Sequence, residues 1–320
     1  MTRVSAVSAL LCSAAAWVVL TSAGPVFAAD AEPSHSQRLV AQARTLSQRL
    51  DRHPRQLPIH LEFEGRRARL QGAVYSIVEQ RFETVSEALG RPASWCEILP
   101  LHFNVKSCTY GMRTGDQLLT LYFGRKFYQE PEVAHRLPLS FEVLSSDPEY
   151  FEISLRGEKG PVRTKNYVLT LAAIPLAAER TFVHLRYSHD IGLTSRIALF
   201  GYLQTLGRGK VGFSVVGRNS DGRPIHVGGL QGVIERNAMR YHLAVKAYLD
   251  TLEVSEPQRF ERRLEHWFEL TSDYRTQLFE MERDEYLRCK RQEGANQSRL
   301  QEARRVATSR TVASTALAGP

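Results

Sequence analysis

Residues 230–252 read LQGVIERNAMRYHLAVKAYLDTL, and the spacing of their apolar side chains predicts one long amphipathic helix. At about 100° per residue, Leu230, Val233, Ile234, Tyr241, Ala244, Val245, Tyr248 and Leu252 share one face, while Glu235, Met239, His242, Lys246 and Asp250 fall opposite. A stripe of that length must be buried against a large apolar surface, so the fold is decided by what precedes it.

Upstream, residues 59–216 are dominated by period-two alternation in runs bounded by Gly, Pro, Asp and Ser, the pattern of an antiparallel sheet. The expected strands are Ala68–Val78, Leu101–Tyr110, Gln117–Tyr128, Leu139–Leu144, Tyr150–Arg156, Tyr167–Ile174, Thr181–His189 and Lys210–Val216. Helices are expected at Glu79–Leu89 and Thr194–Leu206, within the same zone. An antiparallel sheet can bury one face against a helix. The fold class is therefore α+β, an antiparallel sheet with one face packed on the helix of residues 230–252.

Outside this unit the chain has four further zones. Residues 1–28 combine Arg3, an apolar run from Val4 to Leu20 and the small-residue end Val26-Phe27-Ala28, the order of a secretory signal peptide cut after Ala28. A periplasmic or secreted protein is expected. Residues 29–58 carry a short lead-in helix with Leu39, Ala43 and Leu46 on one side. Residues 253–293 read as a helical extension, Pro257–Leu270 and Ser272–Arg291. Residues 294–320 have no apolar pattern and are expected to be disordered.

The chain has 320 residues, 43% apolar, with a net charge of +8. That charge suits transient contact with anionic membrane surfaces. Nucleic acid is disfavoured because the basic residues are interleaved with acids, as in Glu261-Arg262-Arg263-Leu264-Glu265. No nucleophile elbow, zincin motif, phosphate loop or zinc-like cysteine spacing occurs, so no catalytic or metal residue and no cofactor is assigned. Once residues 1–28 are removed, Cys96, Cys108 and Cys289 remain, and export makes a Cys96–Cys108 bridge natural. A strand beginning at Leu101 would hold the two apart, which leaves the pairing open.

The order of elements, early helix ending in Arg91-Pro92-Ala93-Ser94-Trp95-Cys96, strand Leu101-His102-Phe103-Asn104-Val105-Lys106, and closing helix with Gln231-Gly232-Val233-Ile234-Glu235-Arg236-Asn237, resembles the helix-grip superfamily. That superfamily includes the START lipid-transfer domains and the bacterial polyketide cyclases. The resemblance spans residues 69–252 and implies a curved antiparallel sheet gripping the long helix, with an apolar cavity between them for a lipid or other hydrophobic molecule. Trp95, Phe103, Tyr187, Ile234, Asn237, Tyr241, Val245 and Tyr248 are the expected ligand-binding residues. Each has a plainer reading as core.

His102, Asn104 and Lys106 share one strand face, which is solvent-facing if the apolar set points inward and a headgroup ladder if reversed. Arg156, Arg186 and Arg236 are candidate headgroup anchors or ordinary surface charges. A cyclase- or hydrolase-like enzyme in the same cavity, and a module that docks a protein through its C-terminal helices, are the alternative functions.

Overall fold

The computed structural model describes residues 34–51, 59–66, 69–113, 115–192, 201 and 209–317. The signal-peptide reading and the expected helix Thr194–Leu206, apart from Gly201, lie outside them.

Eight strands form one antiparallel sheet: β1 (Ile59–Arg66), β2 (Arg69–Val78), β3 (Val105–Arg113), β4 (Asp116–Phe123), β5 (His135–Asp147), β6 (Tyr150–Lys159), β7 (Lys165–Ala177) and β8 (Arg180–Asp190). Their order is β1-β2-β8-β7-β6-β5-β4-β3. Successive strands from β3 to β8 pair as hairpins, and β8 closes against β2. The chain crosses from β2 to the far edge through α2 (Phe82–Leu89) and α3 (Pro92–Ile98). Strand β1 was not expected, although Leu61 and Phe63 alternate with His60, Glu62 and Glu64. A two-stranded ribbon, β9 (Val215–Arg218) with β10 (Pro224–His226), precedes the long helix α4 (Gly229–Leu249).

Alternation decides which face each side chain serves. Along β2 and β8, Leu70, Val78, Val183, Leu185 and Tyr187 join the large inner core, whereas Ala73, Tyr75, Ile77 and Phe182 belong to a separate outer cluster. The outer cluster is closed by α1 (His35–Asp51), whose Leu39, Ala43, Leu46 and Leu50 recur every three or four residues. The lead-in helix is thus seated on the outside of the sheet.

Helix α4 lies on the inner face. At Gly72 of β2, a Cβ would fall 2.7 Å from Ile234 Cγ2, so only glycine permits this approach. The expected polar face of α4 is not solvated: Glu235, Met239 and His242 are buried. Part of that side is covered by the C-terminal helices α5 (Gln258–Ser272) and α6 (Arg275–Leu278), which are followed by α7 (Arg283–Leu317), while the Glu235 carboxylate is taken by the Phe213 and Ser214 N–H groups and the Ser214 hydroxyl. Arg240 donates to the Leu278 carbonyl and to Glu280, and Trp267 donates to the Arg240 carbonyl. Buried charges persist there because each has a partner.

The expectation of disorder from residue 294 onward is corrected, because α7 runs without a break to Leu317. Its sequence lacks an apolar stripe because the contacts it makes are largely polar. Lys290 and Glu293 from α7 enclose Lys106 of β3, all three nearly devoid of solvent exposure.

Candidate functional site

The sheet and α4 enclose a small apolar cavity of about 30 Å³. Its floor comes from alternate residues of successive strands, among them Leu121 (β4), Leu137 and Leu139 (β5), Leu155 (β6) and Leu169 (β7). Phe123, Tyr167 and Val168 are half-buried and mark its mouth, at the end of the sheet where β4 finishes and β7 begins.

One wall is a row of aromatic side chains. Tyr241 of α4 lies 5.3 Å from the ring of Tyr187, which is 6.2 Å from Tyr167. His189 stacks on Tyr167 at 5.2 Å, and His102 stacks on Tyr241 at 5.1 Å. The Tyr167 hydroxyl shares a hydrogen bond with Thr164 Oγ1 at 2.6 Å.

Burial sets the protonation of this row. It pushes the Tyr187 and Tyr241 hydroxyls well above the ordinary phenol value. Burial lowers His102 far below its usual value, helped by the Arg240 and Lys290 cations against a smaller opposing effect of the Asn237 amide and Glu280. His189 is lowered to about 4, again chiefly by burial. At neutral pH every one of these groups is uncharged. His102 Nδ1 accepts the Asn104 N–H at 3.1 Å, which places its proton on Nε2.

Of the expected ligand residues, Tyr187 and Tyr241 line this cavity and the others do not. Trp95 is fully buried and donates to the Leu89 carbonyl at 2.9 Å, closing α2 onto α3. Phe103 packs edge-on against Trp267 and Tyr286, facing the C-terminal helices. Ile234 meets Gly72, and Val245 is core. The Tyr248 hydroxyl donates to Ser94 Oγ at 2.9 Å, with the Arg263 guanidinium over its ring. Asn237 is half-buried beside His102. The apolar stripe of α4 identified what is buried, and packing with the C-terminal helices decided against what.

The segment from Leu101 differs from the expected strand. Leu99–Leu101 form a 3-10 turn, and β3 begins only at Val105. The turn brings the chain back, and Cys96 and Cys108 are joined by a disulfide with their Cα atoms 5.0 Å apart. Cys289 is a free thiol.

His102 and Lys106 are therefore neither solvent-facing nor a headgroup ladder. Lys106 Nζ donates to the Phe103 and Phe127 carbonyls and to Glu293, while Lys290 Nζ donates to the His102 and Val105 carbonyls and to Glu293. Each ammonium has used its three donors. The cluster is a clamp with no donor left for a ligand. No local sequence signal announces it, since Lys106 and Glu293 are 187 residues apart.

Of the arginines considered as anchors, Arg156 is exposed, Arg236 is buried and donates to the Val211 carbonyl, and Arg186 stands on the outer face of the sheet. None lines the cavity beneath α4.

Among the described residues, no group of three or more His, Cys, Asp or Glu could hold a metal ion. No helix there is long and apolar enough to cross a membrane.

No family model matches the chain, and no curated protein matches it. Solved structures do. A protein from Thermus thermophilus is 11% identical over 57% of this chain and 99% of its own, with a TM-score of 0.34. Human StAR-related lipid transfer protein 5 is 9% identical over 67% of this chain and 97% of its own, with a TM-score of 0.32. Norcoclaurine synthase from Thalictrum flavum, in complex with dopamine and hydroxybenzaldehyde, is 10% identical over 47% of this chain and 82% of its own, with a TM-score of 0.31. The chain's own topology, an eight-stranded antiparallel sheet with a long helix against its inner face, is the α+β helix-grip arrangement expected from the sequence.

Proposed function

We propose that this chain is an exported carrier that holds a hydrophobic molecule, a lipid or similar compound, between its sheet and α4. The observation that carries the reading is the cavity beneath α4, with leucines from four strands on one side and uncharged tyrosine hydroxyls on the other. Such a lining solvates an apolar body and orients one neutral polar handle, such as a hydroxyl or carbonyl. Its residues are ill suited to proton transfer at neutral pH, because burial drives each ring away from that range. At about 30 Å³ the resting cavity has room for only about two water molecules. Ligand entry therefore needs α4 to separate from the sheet at the mouth formed by Phe123 and Val168.

Export is supported by the signal-like residues 1–28 and by the Cys96–Cys108 disulfide, which persists best in an oxidising compartment. The net charge of +8 favours approach to an anionic membrane, where a hydrophobic cargo would be collected or delivered.

The test is native mass spectrometry with organic extraction of protein purified gently from the exported fraction. A stoichiometric hydrophobic adduct that is lost in Tyr241→Arg, with circular dichroism unchanged, is the expected result. An empty wild-type protein that also fails to take up a fluorescent fatty acid would overturn the reading.

A further inference from the structure

The outer face of the sheet carries a larger and more polar pocket, of about 260 Å³, which lies across the sheet from the cavity beneath α4. Strand register builds its floor. Tyr75, His184, Ala172 and Glu152 form one rung across β2, β8, β7 and β6, and Arg186 and Thr170 stand in the next. Helix α1 roofs it with His35, Arg38, Leu39 and Gln42.

The groups on that floor are unequally satisfied. The Glu152 carboxylate accepts the Tyr150 hydroxyl at 2.6 Å and lies 3.5 Å from His35 Nδ1. Arg186, half-buried, has no hydrogen bond or ion pair among the described residues. His184 is pinned face-to-face on Tyr75, ring centroids 4.2 Å apart, and its buried Nε2 has no partner. The Arg186 nitrogens stay open to the pocket rather than buried, so the planar donor fork is free to take two oxygens from a ligand. The first turn of α1 adds the positive end of its helix dipole to the same pocket. Glu152 limits the charge that can be admitted, because a dianion would meet a carboxylate on the same floor.

We propose that this pocket binds a small organic monocarboxylate, its two oxygens taken by the Arg186 guanidinium and its body lying against Leu39 and Ala172. The site is separate from the cavity beneath α4, so the two can be occupied independently.

Benzoate is the probe, with benzamide as its neutral counterpart and inorganic phosphate as a competing oxyanion, titrated by calorimetry into the mature chain. One-to-one benzoate binding is expected, with benzamide and phosphate each weaker by about tenfold or more. Arg186→Gln should weaken benzoate by a similar factor and Arg186→Lys by less, because lysine keeps the charge and loses the fork. Leu39→Trp should fill the pocket and abolish binding, whereas Tyr241→Arg should leave it intact. Absence of benzoate binding at millimolar concentration, equal affinity for benzamide, or loss of benzoate in Tyr241→Arg alone would each overturn the proposal. If Arg186→Gln does not fold, the benzoate–benzamide comparison on the wild-type chain and the Leu39→Trp variant still decide it. Tighter binding of phosphate than of benzoate would also overturn it, in favour of an inorganic oxyanion site.

Discussion

The Gln301 side chain closes around the backbone of Tyr110: its Oε1 accepts the Tyr110 N–H at 2.9 Å, and its Nε2 donates to the Tyr110 carbonyl at 3.0 Å. One helical turn earlier, Gln297 accepts the Cys108 N–H and donates to the Cys96 carbonyl, both at 2.8 Å. β3 is an edge strand of the sheet, so these residues of α7 supply the hydrogen bonds that another strand would have made.

Replacing Gln301 with Ala should therefore leave the Tyr110 amide and carbonyl unpaired beside a helix. The expected cost is about 1–3 kcal/mol, with faster hydrogen exchange confined to Tyr110 and its neighbours. Unaltered exchange at Tyr110 would show that water or another group protects that edge.

Glu293→Gln should be more damaging, because it leaves the Lys106 and Lys290 ammoniums buried without a carboxylate. A loss of about 3–5 kcal/mol is expected in urea unfolding. Converting all three residues to apolar side chains should cost less than Glu293→Gln alone, since the desolvation penalty disappears with the charges. A triple variant weaker than the single one would mean that the clamp contributes net stability.

Acid should destabilise the fold before carboxylates titrate. Burial lowers His184 and His189 to about 4 and His242 to about 3. Their unfolded value is about 6.5, so as pH falls the unfolded chain binds protons first. The contribution of each is fully present above about 6.5 and is lost as pH approaches its folded value, at about 1.4 kcal/mol per histidine per pH unit. Glu280 extends the loss. Burial alone would raise it, yet Arg240, Lys126 and Lys210 together hold it down to about 2, so its contribution disappears as pH falls from about 4.5 toward 2. Urea midpoints measured between pH 7.5 and 4.5 should fall steeply, and less steeply in His242→Gln. A flat profile would contradict the neutral, buried state of these rings.

The Cys96–Cys108 bridge closes a short loop through the turn at Leu99–Leu101. Its replacement by paired Ala residues should cost about 3 kcal/mol, read as a lower urea midpoint that no longer responds to reductant. Equal midpoints with and without reductant in the wild-type chain would show that the bridge adds nothing to stability.

Residues 230–252 announced a buried helix because a 3.6-residue period survives in its sequence, and the sheet was legible through its period of two. The same periods carried no information on the distant partners. Lys106 reads as a surface lysine until Glu293 and Lys290 are brought to it, and the second side of α4 reads as solvated until Glu280 and Trp267 cover it. Two of the residues expected to face a ligand, Tyr241 on the sheet-facing side of α4 and Tyr187 on β8, do line the cavity. Phe103 and Tyr248 instead pack towards the C-terminal helices, which compete for the same side chains. β1 was overlooked because its alternation is carried by few apolar residues among several charged ones.

The clamp that joins Lys106 to residues nearly two hundred positions later has a kinetic consequence. On a ribosome β3 is made long before α7, and its edge stays open in the interval. Contacts of such high sequence separation also slow the final closure. For this chain the hazardous species is the nearly complete polypeptide, sheet formed and last helix undocked, which offers β3 to a second molecule until residues 290–301 arrive.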